Sequence, residues 1–185
     1  DFELKFAVYI KGNKTFGVNF RRKNDFSYYI FQISNEDKGY KRVLKYNNGY
    51  STKIVEKFDG GFLENTWYYI KIRAQQANFK IYISTTSENL DKMYDLVFEF
   101  EDNEHIHGTV GFASQGIEWL LIDNISIVPL TCTNYDKPRS DQILIVTPIC
   151  SRFSENFKHD YKQRWTIKDP KEFIDGPSVW IHNPI

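Results

Sequence analysis

Apolar and polar residues alternate along most of this chain, with the period of two that marks a half-buried strand. Phe2, Leu4, Phe6, Val8 and Ile10 fall on one side of the first segment, while Glu3, Lys5 and Tyr9 fall on the other. Lys11 to Lys14, with Gly12 and Asn13 between them, reads as a tight turn. Phe16, Val18 and Phe20 then alternate again until the charged stretch Arg21 to Asp25 closes the strand. Tyr28 to Ile33 makes a third. Tyr40 to Tyr46 and Tyr50 to Phe58 flank Asn47-Asn48-Gly49, residues that tolerate positive φ, and so predict a hairpin. Trp67 to Ala74 and Phe79 to Ser84 predict another, in which Tyr68, Ile70 and Ile72 face Phe79, Ile81 and Ile83. Tyr94, Leu96, Phe98 and Phe100 alternate with acidic residues, and Gly108 to Ala113 and Trp119 to Val128 complete the series.

Strands recurring at intervals of about ten residues predict a sandwich or barrel. Ser87 to Met93 is the one helix candidate. So many short strands cannot be stabilised by local contacts, so two sheets must bury their aromatic faces against each other. The expected fold is therefore all-β, a two-sheet antiparallel jelly-roll sandwich over residues 1–130.

The pattern changes after Pro129. Residues 131–150 read as a linker containing Cys132 and Cys150, the chain's two cysteines. In a secreted setting the economical expectation is one disulfide between them, worth roughly 3 kcal/mol in chain entropy. The alternative is pairing with cysteines elsewhere in a larger parent. Residues 151–185 are too few to close a core alone. They are expected either to begin a following similar module or to return a strand to the first.

Composition sharpens this picture. Aromatics make up 17% of the residues against a single Met, which suits pleated strands. Lys+Arg and Asp+Glu are 24 each, so no long-range field draws in nucleic acid or an anionic bilayer. No apolar run approaches the ~20 residues of a membrane helix, so no membrane insertion by this fragment is expected. The abundant Asn, Lys, Tyr and Ile fit AT-rich codons, which lowers the functional weight of Lys and Asn runs.

Three stretches resemble the laminin G-like members of the concanavalin A-like lectin/glucanase superfamily, to which thrombospondin C-terminal domains also belong. They are Phe16 to Arg21 with Asp25 to Phe31, Thr66 to Ile72 with Phe79 to Ile83, and Gly108 to Phe112 with Leu121 to Ile127. In the second stretch the resemblance implies that Trp67 opens a strand and packs on the core. For the whole chain it implies a secreted or cell-surface, non-catalytic module of a multidomain protein. Such a module would act in adhesion or assembly by binding other proteins or neighbouring domains of its own chain. The alternative is a glycan-binding lectin domain, and a glycoside-acting enzyme stands behind both. The resemblance also raises calcium at a rim, for which Asp25, Asp59 and Asp102 are loop carboxylates without a matching motif. The metal site is otherwise unassigned and no other cofactor is expected.

Candidate chemistry is sparse. Glu99 and Glu101 alternate as a glycosidase pair might, but the superfamily's carboxylate spacing is missing, so no catalytic residue is assigned. His105 and His107 would project to the same side of a strand as two metal ligands could, yet two His before Gly108 read more readily as exposed loop residues. Asn13-Lys14-Thr15 and Asn124-Ile125-Ser126 fit the glycosylation triplet. Asn13, in a turn, is the candidate; Asn124, inside the last strand, reads as structural.

Overall fold

The computed structural model describes residues 1–86 and 95–130, followed by the backbone of three short strands, Phe153–Glu155, Thr166–Ile167 and Ser178–Ile181. The helix candidate at 87–93, the linker at 131–150 and the expected Cys132–Cys150 bridge lie outside the described residues.

Each alternating segment forms a strand. In chain order they are β1 (Phe2–Lys11), β2 (Thr15–Asn24), β3 (Ser27–Ser34), β4 (Tyr40–Asn47), β5 (Tyr50–Lys57), β6 (Thr66–Gln75), β7 (Asn78–Ser84), β8 (Asp95–Glu101), β9 (Thr109–Gln115) and β10 (Trp119–Pro129). The three short strands that follow are β11 to β13. All pairings are antiparallel and divide between a six-stranded sheet, β11-β10-β1-β6-β7-β8, and a seven-stranded sheet, β12-β13-β9-β2-β3-β4-β5. The chain thus meanders through β2 to β5 in one layer and β6 to β8 in the other. β9 and β10 then close beside β2 and β1. Beyond residue 150, β11 pairs with β10 and β13 pairs with β9, each continuing a sheet of the sandwich.

The inward halves of the alternation meet as one aromatic core. Phe6 of the six-stranded sheet lies edge-on to Phe112 of the other at 4.9 Å. Phe79 meets Phe20 at 5.7 Å and Tyr29 at 5.1 Å across the same gap, and stacks on its neighbour Phe100 at 4.9 Å. Phe79 is fully buried, and truncating a Phe so enclosed typically costs about 3–5 kcal/mol. Trp67 departs from expectation. It lies on the outer face, 36% exposed, against Tyr9 at 5.6 Å, and Tyr68 takes the inward position because alternation leaves room for only one of the two.

One end of the core is closed by polar groups. A β-bulge in β2 gives Arg21 a positive φ of 49° and turns its guanidinium inward, where it is 1% exposed. Its Nη1 donates to the His105 carbonyl at 3.0 Å, Nη2 to Asp1 at 3.3 Å, and the group lies 4.7 Å over the Phe79 ring. Burial lowers the Arg21 pKa, opposed by the neighbouring Tyr29. Next to it the Tyr29 hydroxyl donates to Asp102 Oδ1 at 2.5 Å, and Lys45 Nζ donates to the other carboxylate oxygen at 2.6 Å. Burial, then the bond to Asp102, raises the Tyr29 pKa far above its ordinary value. His105, expected in an exposed loop, is 1% exposed instead: its backbone N–H donates to the Tyr29 hydroxyl and its Nε2 donates to the Tyr46 carbonyl at 2.7 Å. The loop before β9 is thereby tied to β4. At the opposite end Lys41 reaches inward to Asp59 and to the Gly61 carbonyl, both at 2.6 Å, and fixes the segment that brings Phe62 over the core.

Two outcomes follow from this closure. Gly108 has φ 146°, and a Cβ there would stand 2.4 Å from the Arg21 carbonyl carbon. Gly108→Ala should therefore cost at least about 2 kcal/mol in urea unfolding; an unchanged midpoint and slope would refute the tight approach. Burial pushes the Asp102 carboxyl up, but Lys45 and Tyr29 outweigh it and hold the net pKa below the usual value. A carboxyl lowered on folding stabilises above its unfolded pKa, about 3.9, and loses that contribution as pH falls through the folded value. Asp102→Asn should cost about 1–3 kcal/mol at pH 7 and flatten the fall in stability below pH 4, as read by chemical unfolding across pH.

Candidate functional site

The outer face of the seven-stranded sheet carries polar and aromatic side chains that hold one another in place. Because paired residues share a face, three rows can be read across the strands. Gly17, Gln32, Arg42 and Glu56 form one; Asn19, Ile30, Leu44 and Lys53 the next; Tyr28, Tyr46 and Ser51 the third. On β9, Ala113 and Gly111 continue the first two rows, and the register aligns Trp180 of β13 with Gly111.

Small residues keep the β2 and β9 side of this face low. Ile30 leans across Gly17, its Cδ1 2.9 Å from where a Cβ would stand, so Gly17→Ala would displace it. Asn19 sits beside them, 4% exposed, with no hydrogen-bond partner for Oδ1 among the described residues. An unpaired buried amide oxygen costs stability.

Two aromatic groups border the amides. Tyr28 and Tyr46 stack at 4.7 Å with their planes 18° apart, and both remain half-buried. At the other end Tyr40 lies within hydrogen-bonding reach of Thr15, which donates to Ser34 at 3.0 Å. The Arg42 guanidinium covers the Tyr40 ring at 4.4 Å, and its Nε donates to Gln32 Oε1 at 2.8 Å. Arg42 and Tyr46 are four residues apart on β4, so about 13 Å of strand separates the two borders. The bulge between Val43 and Leu44 sets Glu56 and Lys53 side by side, where they form an ion pair. Arg22, directed outward by the same bulge that turned Arg21 in, pairs with Asp25.

The residues singled out by sequence fall elsewhere. Glu99 lies on the opposite outer face, paired with Lys80 at 2.8 Å. Asp25, Asp59 and Asp102, the loop carboxylates considered for calcium, are engaged by Arg22, by Lys41 and Lys57, and by Lys45. Burial raises and these lysines more than offset the pKa of Asp59. Among the described residues no group of three His, Cys, Asp or Glu is placed to hold a metal ion. Asn13 is exposed in the β1–β2 turn. Asn124, with φ 55°, occupies the bulge in β10, a conformation that Asn tolerates better than most side chains. None of the face residues was singled out from sequence for function, and the available signal was the outward half of β3 and β4: Tyr28, Gln32, Arg42 and Tyr46.

The opposite outer face, on the six-stranded sheet, differs in kind. Trp119, Leu121, Tyr9 and Trp67 cluster at one end of it, followed by lysines and glutamates along the strands. No helix among the described residues is long and apolar enough to cross a membrane.

No family model matches the chain, and no curated protein sequence matches it. Solved structures are similar in fold. Carbohydrate-binding module CBM66 from Bacillus subtilis superposes with a TM-score of 0.54 at 22% identity, covering 69% of this chain and 74% of that one. CG-16, a homodimeric agglutinin from chicken liver, gives 0.49 at 18% identity, covering 68% and 89%. The GH43 protein BlXynB from Bacillus licheniformis gives 0.46 at 12% identity, with 65% of this chain against only 27% of that protein. Together with the two antiparallel layers, the first of these similarities identifies the fold as a concanavalin A-like jelly-roll sandwich.

Proposed function

We propose that this chain is a non-catalytic glycan-binding module and that the outer face of the seven-stranded sheet is its binding surface. The observation that carries the reading is the juxtaposition on β2 to β4 of a stacked tyrosine pair with three planar hydrogen-bonding groups, Asn19, Gln32 and Arg42. A saccharide offers apolar ring faces and a fringe of hydroxyls, so it is complemented by aromatic rings beside fixed amides and guanidinium. The carbohydrate-binding module similar in fold supports this reading over assembly or adhesion alone. Glu99, neutralised by Lys80 on an outer face, gives no support to glycoside hydrolysis.

The finer placements belong to the same proposal. Secretion or surface display fits such a module, as do glycosylation at Asn13 and membership of the laminin G-like branch. The pairings of β11 with β10 and β13 with β9 favour residues 151–185 as outer strands of the first sandwich over the start of a following module.

Binding to an array of neutral and acidic oligosaccharides tests the function. Tyr46→Ala and Tyr28→Ala should each weaken the strongest signal roughly five- to tenfold, the size of one lost aromatic contact. Trp119→Ala, on the opposite sheet, should leave it unchanged. An array without signal, or one silenced by Trp119→Ala and indifferent to Tyr46→Ala, would overturn the assignment of this face.

A further inference from the structure

We infer that the saccharide bound on this face carries a carboxylate, a uronic or sialic acid, and that Arg42 is the residue that selects it. The inference rests on the glycan-binding reading and adds the ligand's charge to it.

The argument is one of unbalanced charge. On the face of β2 to β5 two other cations have anions of their own: Arg22 pairs with Asp25, and Lys53 with Glu56. Among the described residues Arg42 forms no ion pair, although Glu56 stands opposite it in register, because Glu56 is drawn to Lys53. What holds Arg42 is neutral: the Tyr40 ring beneath its plane and the Gln32 amide at Nε. These two contacts fix the guanidinium in position and direction. They occupy one of its five N–H donors and leave the Nη1 and Nη2 edge without an acceptor among the described residues.

Such an edge matches the two oxygens of a carboxylate in a bidentate pair, which a neutral hydroxyl cannot reproduce. Pre-ordering by Tyr40 and Gln32 also removes much of the entropy cost that a free arginine would bear on binding. The partly buried setting keeps the attraction from being screened as fully as on an open surface. A ligand reaching from the tyrosine pair to Arg42 would span about 13 Å of strand, enough for more than one sugar residue with its acidic group at the Arg42 end.

The test uses tetragalacturonate and sialyllactose as probes, each beside its carboxyl-reduced counterpart, with binding followed by calorimetry on the whole chain. Expected is at least tenfold tighter binding of an acidic probe than of its reduced form, and the probe that shows it identifies the source of the carboxylate. Arg42→Gln should abolish that preference, so that the acidic probe and its reduced form bind with affinities within about twofold of each other. Arg42→Lys, which keeps the charge and loses the fork, should restore only part of it. The thermal midpoint of each variant controls for folding, and a variant that unfolds is replaced by Gln32→Leu, which frees Nε without touching the charge and should weaken the preference. Equal affinity for acidic and reduced sugars, or a preference that survives Arg42→Gln, overturns the inference. If reduced sugars bind as tightly as acidic ones and Tyr46→Ala weakens that binding roughly five- to tenfold, the glycan-binding reading stands without it. If no sugar of either kind binds, both fail.

Discussion

A guanidinium buried at the end of an aromatic core is the constraint from which the rest of the arrangement follows. Arg21 is removed from water, which carries a large desolvation cost unless the charge is met by oxygens and ring faces. Those partners come from three places in the sequence: Asp1, the His105 carbonyl and the Phe79 ring. Meeting them requires the backbone of β2 to insert one residue, and the insertion does two things at once. It points Arg21 inward and sends Arg22 outward to Asp25. It also opens the space into which Gly108 fits without a side chain. The loop before β9 is then drawn down on Tyr29 and the Tyr46 carbonyl, so the strand that carries Arg42 and Tyr46 is braced from within.

The two outer faces show how one sandwich keeps structure and recognition apart. The six-stranded sheet presents lysines and glutamates with an aromatic cluster at one end, groups that make short-range pairs with their neighbours. The seven-stranded sheet presents amides, a stacked tyrosine pair and a cation anchored by neutral contacts. Its glycine and alanine positions on β2 and β9 leave the polar groups of β3 and β4 standing above the adjoining strands. On the second face the Asn19 Oδ1 and the Arg42 Nη edge have no hydrogen-bond partner among the described residues.

Much of the fold was legible in the sequence. Alternation located every strand through β10 and separated core from surface, because a period of two leaves each side chain a single choice of layer. Trp67 was placed on the core by the family resemblance, whereas the alternation that turns Tyr68, Ile70 and Ile72 inward sends it to the outer face. His105 was misread because its burial comes from Tyr29 and Tyr46, which are distant in sequence. The binding face was hidden for the same kind of reason. Arg42 is one basic residue among 24, and its lack of an anion among the described residues becomes visible only when β5 is laid beside β4 with a bulge that hands Glu56 to Lys53.

The sandwich's first and tenth strands lie side by side, with Phe2 opposite Pro129 and the Leu130 N–H on the Asp1 carbonyl. The start of β1 and the end of β10 therefore share one corner. A load applied across that corner would peel β1 from β10 rung by rung, rather than shearing all the rungs together.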